Sequence, residues 1–151
     1  MTDILNTEAR LNFFAFGPDA MRAMSALDTR VAQSDLEKRL VELVRLRVSQ
    51  INGCAFCVDK HASDAIMSGE DPRRIATLQV WRDVPFFSAK ERAALEWAEA
   101  LTLIADVHVS EATWERVKEK FVPSQLVDLT LAINAVNVWN RFAIAFRKLP
   151  T

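Results

Sequence analysis

The sequence predicts an all-α fold. Apolar residues recur at three- and four-residue spacing, no stretch alternates with period two over a strand's length, and helix start and stop signals punctuate the chain. The three glycines and five prolines fall between the periodic stretches rather than within them. A chain of this length fits one domain, residues 1–151, and can bury a core without disulfide staples. About six to eight helices are expected.

Taken in order, the chain begins with an apolar arm carrying Leu11, Phe13, Phe14 and Phe16 ahead of a Gly17-Pro18 break. Such an arm needs cover, for example from a neighbouring subunit. From Ala20 to Gln33, Met21, Met24, Leu27 (or Asp28) and Val31 follow helical spacing. Ser34-Asp35-Leu36-Glu37 reads as a capping box opening a helix from Asp35 to Ile51, which Asn52-Gly53 ends. Leu36, Leu40, Leu43, Val44 and Val48 share its broad apolar face. Glu42 lies mid-helix, where an exposed glutamate pairing with Lys38 or Arg45 is the plainest reading. The next helix starts at Cys54, runs to Met67 and stops at Ser68-Gly69.

Asp71-Pro72 supplies an N-cap and a first-turn proline for a helix to Trp81. Ser88 to Glu91 forms a second capping box, opening a helix to about Ile104. Ser110 caps a short helix bearing Trp114, Val117 and Phe121. His108, on the connector before it, reads as a loop or capping residue. The longest helix, Gln125 to Phe146, is apolar almost all round, which suits a central position or a subunit interface. Its polar residues Asn134, Asn137, Asn140 and Arg141 could line a pocket near the cysteines, but are expected rather to bond across that interface or to support the structure.

Composition excludes several functions. A net charge of −1 offers no footprint for nucleic acid or an anionic membrane. No apolar run approaches the roughly 20 residues that span a bilayer. The N-terminal residues lack the basic and apolar regions of a secretory signal. A cytoplasmic location is therefore expected. In that compartment a C-x-x-C is redox-active or metal-binding rather than a permanent staple.

Cys54-Ala55-Phe56-Cys57 is such a motif, and it holds both cysteines of the chain. A structural zinc normally takes four nitrogen or sulfur ligands, and only two cysteines and two histidines exist here. Haem attachment needs histidine directly after the second cysteine, where Val58 stands. No metal and no cofactor are expected. Inert packing and a redox dithiol are left. At a helix N-terminus the macrodipole and free N–H groups favour a thiolate. His61, one turn after Cys57, can accept its proton and return it to a leaving group. Glu42 is the nearest carboxylate by sequence that could orient His61.

The spacing Glu42–x11–Cys54–x2–Cys57–x3–His61, set between helices, resembles the alkyl hydroperoxidase D-like branch of the carboxymuconolactone decarboxylase superfamily. Asn52-Gly53-Cys54-Ala55-Phe56-Cys57, Trp81-Arg82-Asp83, the Ser88 to Leu101 helix and Leu129 through Arg147 are similar to that family's text. The resemblance covers roughly residues 15–147. It implies that Cys57 is the peroxidatic thiol, Cys54 the resolving thiol, His61 the proton relay and Glu42 the group behind it. It also implies a peroxide or small disulfide substrate and a dithiol reductant or redox partner protein. Members form trimers or hexamers, so a homo-oligomer, a hexamer above all, is expected. The best-known members carry a second histidine where this chain has Phe56. An electron-transfer adaptor serving a separate peroxidase, or a non-catalytic redox sensor, would use the same residues.

Overall fold

A computed structural model describes residues 8–150, so the first seven residues of the apolar arm and Thr151 lie outside the described residues. Nine α-helices follow one another, with no strand among the described residues. They are α1 (Phe13–Phe16), α2 (Pro18–Ala32), α3 (Lys38–Asn52), α4 (Ala55–Met67), α5 (Pro72–Thr77), α6 (Ala89–Thr102), α7 (Ile104–Val107), α8 (Glu111–Lys118) and α9 (Pro123–Ala145). The helix expected to run to Trp81 tightens after α5 into a 3-10 segment, Leu78–Asp83. Among the described residues no single helix is long and apolar enough to cross a membrane.

The central element is α3, which packs against α4, α6 and α9. Val44 and Val48 join Ala94 and Ala98 of α6 and Leu129, Ile133 and Val136 of α9 in one apolar cluster. On another side, Leu43 and Leu46 meet Leu78, Trp81, Phe87 and Leu95. Being covered on both sides, α3 also buries polar residues that its sequence would allow outside, Glu42 and Ser49. Helix α9, more apolar, leaves Val127 69% exposed, so it flanks α3 rather than forming the centre.

The second capping box forms as expected: Ser88 Oγ accepts from the Glu91 N–H, and the Glu91 carboxylate accepts from the Ser88 N–H. Asp71 and Ser110 also cap their helices, their side-chain oxygens accepting from the Arg73 and Thr113 N–H groups. The first box does not form. Helix α3 starts at Lys38, with Glu37 as an N-cap that makes no side-chain bond. The Ser34 hydroxyl donates instead to the Val31 carbonyl at 2.6 Å, closing the end of α2. Unsatisfied carbonyls of the helix just ended thus compete with the N–H groups of the helix about to begin.

Residues 10–14 and 142–148 meet beside α4. Phe13 is buried against Phe142 and Phe146, with ring centroids 5.5 and 5.8 Å apart, and the Arg10 N–H donates to the Phe146 carbonyl at 2.9 Å. The molecule's own last helix therefore covers this part of the arm, while Phe14 and Phe16 stay exposed. After α9, Arg147 adopts a left-handed φ of 51°. The Arg147 N–H then reaches the Ile144 carbonyl at 3.2 Å and the Lys148 N–H the Ala143 carbonyl at 2.8 Å, a Schellman closure built without glycine.

Asn137 and Asn140 bond within the chain, the structural role expected of them. The Asn52 side-chain amide donates to Asn137 Oδ1 at 2.9 Å and to Asn140 Oδ1 at 2.8 Å. Asn140 in turn donates to Ser49 Oγ at 3.1 Å. Asn134 is exposed, and Arg141 bonds Asn137 one turn back on its own helix.

His108 sits in the connector, exposed, at φ 52° and ψ −165°, a region that essentially only glycine occupies comfortably. His108→Gly should therefore stabilise the fold by about 1 kcal/mol, raising Tm by roughly 2–4 °C in a thermal melt. A drop in Tm would show that the imidazole makes a contact that matters.

Candidate active site

Gly53, at φ 68°, ends α3 in the left-handed turn that Asn52-Gly53 anticipates. The Cys54 N–H then donates to the Ser49 carbonyl at 3.1 Å, which swings the chain into α4. Cys54 is the N-cap of α4, and its Sγ accepts from the Cys57 N–H at 3.3 Å. The two cysteines are joined as a disulfide, their Cα atoms 5.3 Å apart, well inside the range a disulfide requires. Both are buried, Cys54 1% and Cys57 4% exposed, against Ala143 and Phe56. Reduction would leave Cys57 in the first turn of α4, where free N–H groups and the macrodipole stabilise a thiolate.

One turn on, His61 is buried on the same helix, and its Nδ1 lies 3.0 Å from Glu42 Oε2. The other carboxylate oxygen of Glu42 accepts from Arg45 Nη1 at 3.0 Å. The glutamate thus keeps the expected Arg45 partner and also reaches across to α4. The network continues through α2 to α9: Arg45 Nη2 donates to Asp28 Oδ1 at 3.2 Å, and Trp139 Nε1 to Asp28 Oδ2 at 2.7 Å. Burial pushes the Glu42 carboxyl up, but the hydrogen bond and charge of His61 and the guanidinium of Arg45 outweigh it, holding the carboxyl below its ordinary range. Glu42 therefore stands as a buried, doubly partnered anion. With Nδ1 engaged, Nε2 is the ring nitrogen left for proton exchange.

Cys57 and His61 both line a cavity of about 610 Å³ whose other walls include Phe14, Phe56, Trp139 and Lys148. Donor atoms of Glu42, His61 and Asp64 lie within 4.8 Å of one another, close enough to hold a cation. Arg45 and Lys60 already engage those carboxylates, Lys60 Nζ standing 2.8 Å from Asp64 Oδ2. Sequence reasoning joins Glu42, His61 and the cysteines but misses Asp28, Trp139 and Lys148. Their only sequence signal was position on an apolar helical stripe or near the C-terminus. Nothing in spacing shows that three distant segments converge on one cavity.

A helical fold with a disulfide at the start of a helix, backed by a buried histidine and carboxylate, fits the class of thiol redox proteins. Residues 18–100 match the model of the carboxymuconolactone decarboxylase family. The chain belongs to that family, as an alkyl hydroperoxidase D-like member. It is 42% identical over 136 residues to the uncharacterised protein YdfG of Bacillus subtilis (strain 168), covering 90% of this chain and 92% of that one. Among solved structures it is similar to ATU0492 of Agrobacterium tumefaciens, a protein of unknown function assigned provisionally as antioxidant defence protein AhpD. That likeness has a TM-score of 0.93 and 38% identity over 95% of this chain and 99% of the other. A peroxidase-related protein from Silicibacter sp. TM1040 aligns with a TM-score of 0.81 and 26% identity, covering 91% and 73% of the two chains.

Glu42→Gln keeps the shape but removes the anion between His61 and Arg45. It should cost about 2–3 kcal/mol in urea unfolding at pH 7. Because the folded-state carboxyl is held low, this contribution is present above the unfolded-state value. It fades as the pH falls through the folded one. The gap between wild type and variant should accordingly narrow on acidification below about pH 4.3. A gap independent of pH would mean that the charge contributes nothing.

Proposed function

We propose that the protein is a thiol peroxidase that reduces organic hydroperoxides by cycling the Cys54–Cys57 pair between dithiol and disulfide. The observation that carries this reading is the contact of His61 Nδ1 with Glu42 Oε2 at 3.0 Å, which orients a histidine one turn from Cys57. In the reduced protein His61 takes the Cys57 thiol proton. The thiolate attacks the outer peroxide oxygen, an S–O bond forms, the O–O bond breaks, and the departing alkoxide receives the proton from His61. The alcohol leaves and Cys57 is a sulfenic acid. The Cys54 thiol then attacks that sulfur, releasing water and closing the disulfide. An external dithiol restores both thiols, becoming a disulfide itself.

Phe56, in place of a second histidine, makes the surroundings of Cys57 apolar. His61 is then the proton carrier on which the first step depends. The burial of both sulfurs supports a small substrate entering through the cavity over direct exchange with a protein disulfide.

Cys57→Ser should abolish hydroperoxide turnover with the helical circular dichroism unchanged. Cys54→Ser should trap a sulfenic acid that dimedone labels. His61→Gln should lower kcat/KM by about 10²–10⁴-fold. The adaptor reading is separated by stopped flow: under it, peroxide alone oxidises the dithiol slowly and a partner's disulfide oxidises it fast. Full turnover by the Cys57→Ser variant would sink both.

We also infer a homo-oligomer, a hexamer or trimer. Phe16, Met67 and Val127 are 77%, 78% and 69% exposed, more large apolar surface than a monomer comfortably shows to water. Light scattering at micromolar concentration should give a multiple of the 17.1 kDa chain mass. A monomer would overturn this inference.

A further inference from the structure

The cavity beside Cys57 has aromatic walls and, among the described residues, one cation without a carboxylate partner. Three cationic side chains reach it: Arg45, Lys60 and Lys148. Arg45 is engaged by Glu42 and Asp28, and Lys60 by Asp64. Lys148 has no carboxylate partner among the described residues. Its Nζ stands instead over two rings of the cavity wall, 4.5 Å from the centroid of Phe56 and 5.2 Å from that of Phe14. Aromatic faces attract an ammonium but do not neutralise it.

The backbone puts the charge there at a cost. Lys148 follows Arg147, whose left-handed φ of 51° is unfavourable for a residue with a Cβ. That turn sends the Lys148 N–H back to the Ala143 carbonyl and lays its side chain over Phe56, the residue adjacent to Cys57.

We propose that this cavity binds an amphipathic carboxylate, with Lys148 holding the acid group and the apolar body lying along Phe14, Phe56 and Trp139. Resting on the peroxidase reading above, the substrate class becomes the hydroperoxide of an amphipathic carboxylic acid. A volume of about 610 Å³ lies within the range of sites that enclose a small organic molecule. A single unpaired ammonium suits one negative charge, whereas a phosphate ester generally draws several donors or an arginine fork.

Calorimetric titration of the oxidised protein with octanoate and with 1-octanol tests this apart from any turnover, because the disulfide form cannot attack a peroxide. Octanoate should bind about tenfold more tightly than octanol. Lys148→Met should bring that ratio to about one, and Lys148→Arg should restore it. Equal affinities in the wild type, no binding of either probe, or a ratio that Lys148→Met leaves unchanged would each overturn the assignment. Tight octanoate binding in a protein whose dithiol form reduces no hydroperoxide would leave the carboxylate site standing and remove the peroxidase reading.

Discussion

Everything at the candidate site depends on a buried carboxylate being kept ionised. Glu42 sits inside the central helix, where desolvation alone would favour the neutral acid. His61 on α4 and Arg45 one turn along α3 each take one of its oxygens, and together they reverse that preference. The His61 bond also ties α4 to α3 one turn beyond Cys57, so the histidine's orientation and the packing of the two helices share a cause. Asp28 and Trp139 extend the arrangement to α2 and α9, which leaves Arg45 a second anion to neutralise and little freedom to turn away.

Polar order on one side of the cysteines is matched by apolar order on the other. Ser49, Asn52, Asn137 and Asn140 form a hydrogen-bonded set that satisfies the end of α3 and anchors the turn into Cys54. Phe56 and Ala143 close over the sulfurs themselves. A disulfide so placed is shielded from bulk water, yet Cys57 borders a cavity.

The fold was legible to the extent that its signals are local. Asp71-Pro72, Ser88 with Glu91, Ser110 and Asn52-Gly53 all act within a turn of the residues they control, and each ends or starts a helix where its chemistry says. Ser34 was misleading because two helix ends lie within reach of one hydroxyl, and the carbonyl of Val31 took it. Glu42 was ambiguous for a different reason. Its pairing with Arg45 is a matter of spacing, but its burial comes with the packing of α4, whose His61 meets it.

The sequence by itself determined the helical class, the position of both cysteines at a helix start and the presence of His61 one turn beyond, since each rests on residues a few positions apart. The tertiary structure alone decided that Glu42 reaches His61, that Asp28 and Trp139 stand behind Arg45, that Phe13 is covered by Phe142 and Phe146, and that Lys148 returns over Phe56. Those contacts join segments up to about 130 residues apart, as between Phe13 and Phe142. No periodicity encodes such a meeting; it follows from how the helices pack around α3.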